Sequence, residues 1–94
     1  MSELSILILD DEVRLADELS EYLSRRGFEV HTAYAPADAF SVLDYRPIHI
    51  LLLDLKLPGM NGLEVLRRVK VDHPEVEVII MTGHGDMESV IQAL

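Results

Sequence analysis

The chain has 94 residues with 17 acidic and 8 basic side chains, a formal net charge of −9. That length holds one small domain, which buries only about 60–70% of the surface its unfolded chain exposes. With 49% hydrophobic residues and no cysteine, the chain is globular, and disulfide frameworks, thiolate metal sites and cysteine nucleophiles are excluded.

Met1 is followed by Ser2, Glu3 and Leu4, with no basic region and no long apolar stretch. A signal peptide or membrane span is not expected, and a cytoplasmic protein is the default. Residues 4–9 form an almost continuous apolar run, as expected of a central strand covered on both faces. Residues 12–26 carry Ala16, Leu19, Tyr22 and Leu23 at helical spacing, and Gly27 follows Arg25 and Arg26 as a stop. Residues 28–33 alternate, with Phe28, Val30 and Thr32 on one side and Glu29 and His31 on the other, the pattern of a half-wet edge strand.

Pro36 opens a second helix over residues 36–45, with Ala39, Phe40 and Leu43 inward. Residues 48–53 repeat the continuous apolar pattern. A third helix starts near Asn61, with Glu64 in capping-box position, and runs through Leu63, Leu66 and Val69 to a stop at residues 72–74. Residues 76–82 read as a fourth strand and 86–94 as a fourth helix. The order βαβαβαβα predicts an α/β fold with a parallel sheet and right-handed crossovers. The last helix has neither a cap nor a following strand, so the sequence is expected to be a piece of a longer one.

Parallel sheets place their functional groups beyond the carboxyl ends of the strands. Those exits here carry Asp10 and Asp11, then Asp54, then Thr82 and Gly83. With the first and third strands adjacent, three carboxylates converge. At ~4 Å, two like charges repel by roughly 4 kcal/mol at an effective dielectric of about 20. Such a pocket calls for a divalent cation or a shifted pKa, and all-oxygen ligands favour Mg²⁺ or Mn²⁺ over zinc. Taken singly, Asp10 and Asp11 also read as a helix-start acid pair, Asp54 as a turn residue and Thr82 as a strand end. His31, His49 and His73 show no ligand spacing and read as surface or strand-end residues.

The segments Ile6 to Glu12, Leu51 to Gly62 and Ile79 to His84 together resemble the response-regulator receiver domain of two-component signalling, over the whole chain. The resemblance implies a flavodoxin-like doubly wound parallel sheet, strand order 2-1-3-4, lacking the family's fifth strand and fifth helix. It implies that Asp54 accepts a phosphoryl group from a histidine kinase or phosphotransfer protein. It makes Asp11 a direct Mg²⁺ ligand, Asp10 a partly water-mediated one, and the main-chain carbonyl of Lys56 a further one. Thr82 becomes the switch hydroxyl, and Lys56 and His84 border the phosphoryl group. The family's later lysine and aromatic switch residue have no counterpart in this sequence.

Two further expectations follow from that departure. The apolar edge from Val76 to Thr82 invites pairing with another chain, so the chain is expected either to be marginally stable as a monomer or to self-associate. A receiver-like module that binds partners without phosphorylation is the alternative function. A haloacid-dehalogenase-like phosphohydrolase is rejected, because the second acid it wants two residues after Asp54 is Lys56 here. A dinucleotide-binding domain is rejected because no Gly-x-Gly-x-x-Gly follows the first strand.

Overall fold

A computed structural model of the chain describes residues 3–56 and 61–81. The elements in order are β1 (Ser5–Leu9), α1 (Val13–Ser24), β2 (Glu29–Ala33), α2 (Pro36–Tyr45), β3 (Ile50–Asp54), α3 (Gly62–Asp72) and β4 (Glu77–Met81). The strands form one parallel sheet in the order β2-β1-β3-β4, as expected. Thr82 and the expected fourth helix over 86–94 lie outside the described residues.

β1 is buried along its whole length because it is flanked by two strands and covered on both faces. Ser5, Leu7 and Leu9 face the layer of α2 and α3, while Ile6 and Ile8 face α1. The larger core joins Leu7, Leu9, Leu51 and Leu53 of the sheet to Ala39 and Leu43 of α2 and to Val65, Leu66 and Val69 of α3. Each large side chain fully buried there contributes about 1.5–3 kcal/mol. On the other face α1 lies over β1 and β2, so Ile50 and Leu52 of β3 are only half-buried and Ile79 of β4 is 50% exposed.

Helix ends follow local chemistry. Asn61 caps α3, its Oδ1 accepting the Leu63 N–H at 2.8 Å. Gly27 turns the chain out of α1 with φ +96°, a left-handed conformation that glycine adopts freely. Tyr22, at helical spacing with Ala16, Leu19 and Leu23, is nevertheless 54% exposed, with the Arg26 guanidinium 4.2 Å above its ring. A tyrosine at the edge of the apolar stripe keeps its hydroxyl in water and gains a cation–π contact one turn along.

The amino end of the sheet is tied by two residues 44 apart in sequence. The Ser5 N–H donates to His49 Nδ1 at 2.9 Å, while the His49 N–H returns a bond to the Ser5 carbonyl at 2.9 Å. The Ser5 hydroxyl donates to Glu29 Oε2 at 2.6 Å. His73, at the end of α3, pairs with Asp44 of α2 at 3.0 Å. The imidazoles of His49 and His73 thus join neighbouring elements, a role their scattered spacing did not suggest. His31, within β2, is half-buried, with Nε2 3.6 Å from Glu29 Oε2.

Candidate functional site

The site forms where β1 and β3 leave the sheet. These neighbours run in parallel register, Leu9 opposite Leu53, so the residues that follow them emerge side by side. Asp10 is 3% exposed. Its N–H donates to the Ala33 carbonyl at 3.1 Å, and its Oδ1 accepts the Glu12 N–H at 2.9 Å. Those two bonds hold the backbone to the exit of β2 and aim the carboxylate inward. Asp11 is exposed, and α1 begins only at Val13 with Glu12 as its N-cap residue.

Asp54 ends β3, half-buried, and its Oδ1 accepts the Lys56 N–H at 3.0 Å. Carboxylate oxygens of Asp10, Asp11 and Asp54 all lie within 4.8 Å of one another. Burial raises the Asp54 pKa above its ordinary value, and the charges of Asp10 and Asp11 push the same way, against the Lys56 hydrogen bond. Three acids held this close, one of them buried, fit a hard divalent cation: the donors are all oxygen, and a cation would offset the mutual repulsion of the three carboxylates.

Of the residues expected at the site, the structure brings together Asp10, Asp11 and Asp54, with the Lys56 amide bonded to the last. Thr82 and His84 lie outside the described residues. Two features near the site had no local signal in the sequence. Tyr34, just after β2, donates its hydroxyl to Asp17 of α1 at 2.6 Å. Gly62, at the start of α3, donates its N–H to the Leu55 carbonyl at 3.2 Å. No helix among the described residues is long and apolar enough to cross a membrane.

Comparison with known proteins agrees with this geometry. The family profile of the response regulator receiver domain matches residues 6–94. Sporulation initiation phosphotransferase F of Bacillus subtilis is 34% identical over 85 residues, covering 90% of this chain and 68% of that protein. The luminescence regulatory protein LuxO of Vibrio campbellii is 34% identical over 87 residues, covering 93% of this chain. The chain spans only 19% of the length of that relative. The solved receiver domain of NtrX from Brucella abortus superposes with a TM-score of 0.85 at 36% identity, over 94% of this chain and 75% of that one.

Proposed function

The chain belongs to the response regulator receiver domain family of two-component signalling, and on that premise we propose that it is a phosphoryl-accepting switch whose acceptor is Asp54. The observation that carries the reading is the convergence of Asp10, Asp11 and Asp54 at adjoining strand exits. The donor is a phosphohistidine on a histidine kinase or a phosphotransfer protein. A carboxylate oxygen of Asp54 forms the new P–O bond as the donor's P–N bond breaks, and the electron pair stays with the imidazole nitrogen.

Asp10, Asp11 and Asp54, with the main-chain carbonyl of Lys56, would hold Mg²⁺ or Mn²⁺, which when bound neutralises carboxylate and phosphoryl charge together. The Lys56 N–H keeps Asp54 oriented, and Asp10 is fixed from two sides. Thr82 serves as the switch hydroxyl, biasing a two-state segment once a phosphoryl oxygen is present. The Lys56 and His84 side chains tune the lifetime of the acyl phosphate. The chemistry is self-directed uptake and hydrolysis in a cytoplasmic protein, with no turnover of an external substrate. The name of the Bacillus subtilis relative, a phosphotransferase, supports transfer of this group.

The test is incubation with a small phosphodonor, with and without Mg²⁺, read by intact mass. A Mg²⁺-dependent gain of one phosphoryl group, labile to hydroxylamine and absent from D54N, is expected. No gain under any condition overturns the reading in favour of a module that binds partners without phosphate. A second reading, self-association through the Val76 to Thr82 edge, is favoured by the place of β4 as the outermost described strand of the sheet. Sedimentation across a concentration series tests it: a single monomeric species throughout rejects it.

A further inference from the structure

Gly62 is the first residue of α3, and its Cα has no room for a side chain. A methyl group placed there would stand 2.5 Å from the Leu55 Cα, 2.9 Å from the Leu55 carbonyl oxygen and 3.0 Å from the Asp54 carbonyl oxygen. All three are backbone atoms, so no rotamer change makes way. The φ of Gly62 is not left-handed, so what glycine supplies here is close approach and not backbone freedom.

That approach acts on one rigid unit. The peptide group between Leu55 and Lys56 is planar, so its C=O and N–H move together. The C=O accepts the Gly62 N–H at 3.2 Å, and the N–H donates to Asp54 Oδ1 at 3.0 Å. One plate is therefore gripped by the start of α3 on one edge and holds the acceptor carboxylate on the other. Moving Gly62 outward tilts the plate and turns Asp54 away from Asp10 and Asp11.

We propose that Gly62 is a positioning residue, which through the Leu55–Lys56 peptide plane aims the Asp54 carboxylate at the divalent-cation site. The inference rests on reading the three acids as that site. Amide NMR during Mg²⁺ titration of the wild-type chain, Gly62→Ala and Leu63→Ala tests it. Removing an outer support of a metal ligand typically weakens binding about 10–100-fold. Gly62→Ala should weaken Mg²⁺ about tenfold or more and shift the Lys56 amide proton, whereas Leu63→Ala, on the same helical turn, should leave both near wild type.

Hydrogen exchange on the wild-type chain keeps the inference open to refutation if Gly62→Ala does not fold. Coupling is reciprocal, so saturating Mg²⁺ should slow the Gly62 amide more than the core amide of Val69. Equal slowing at both positions, or wild-type affinity in a folded Gly62→Ala, overturns the role of Gly62. A wild-type chain indifferent to Mg²⁺ overturns the cation reading itself, and the role of Gly62 with it.

Discussion

The two ends of the sheet solve opposite problems. At the amino end polar groups meet partners across elements: Ser5 with His49 and Glu29, and His73 with Asp44. At the carboxyl end three carboxylates face one another, and Asp54 is held above its usual pKa by burial and by its neighbours. One end spends its polar groups on joining neighbouring elements. The other keeps like charges together, an arrangement that favours a bound cation and a chemical event. Stability and function are thus separated along the strands by the length of five residues.

The largest break in that division should come from His49→Ala. It leaves the Ser5 N–H without its acceptor in a partly buried place, which costs about 1–3 kcal/mol. Urea unfolding should show the loss, while Mg²⁺ affinity of the folded protein stays within about twofold, as expected of distant sites. A large drop in affinity would mean that the two ends are coupled.

Gly27→Ala should cost about 1 kcal/mol, because a side chain there meets open space but must adopt φ +96°. Thermal melts should register it without any change in phosphoryl uptake. D54N acts in the opposite direction at the other end. Neutral asparagine keeps an acceptor for the Lys56 N–H and removes one of three like charges, so the metal-free protein should gain up to about 1 kcal/mol. For a domain of this size that is a rise in Tm of up to roughly 4–8 °C. A lower Tm would show that Asp54 is not strained by its neighbours.

The smallest effect lies in acid. The Ser5 hydroxyl, donating to the Glu29 carboxylate, holds that carboxyl below its ordinary 4.5. A lowered native pKa means that the folded state binds its proton later than the unfolded chain does. The ionised form therefore adds stability above about pH 4.5, and that stability is lost as pH falls through the lower native value. Ser5→Ala should flatten this limb of the urea midpoint against pH. An unchanged slope would assign it to other carboxylates.

How far all this was legible depends on the range of the signal. The apolar runs of β1 and β3 and the stripe of α2 are local patterns, and the observed elements match them to within one or two residues. Asp10, Asp11 and Asp54 were legible because strand exits in a parallel sheet have a known side. The exposure of Tyr22 was not legible, because helical spacing alone does not separate the centre of an apolar stripe from its edge. The Ser5–His49 exchange spans 44 residues, and the Gly62 contact depends on how closely α3 seats against β3. Neither leaves a mark in local periodicity.

The parallel pairing of β1 with β3 also bears on how the chain tolerates insertions and deletions. Ile6–Leu9 and Ile50–Leu53 are apolar at every position and packed on both faces, so a one-step slip would trade one aliphatic side chain for another. Interior side chains carry little information about alignment here; the polar termini carry most of it. Ser5 with His49 marks one end of this pair, and Asp10 beside Asp54 the other. An indel inside either run would therefore leave a chain that still collapses into layers but carries its acids out of step. Loss of the acid cluster's geometry in such a variant would precede loss of its fold.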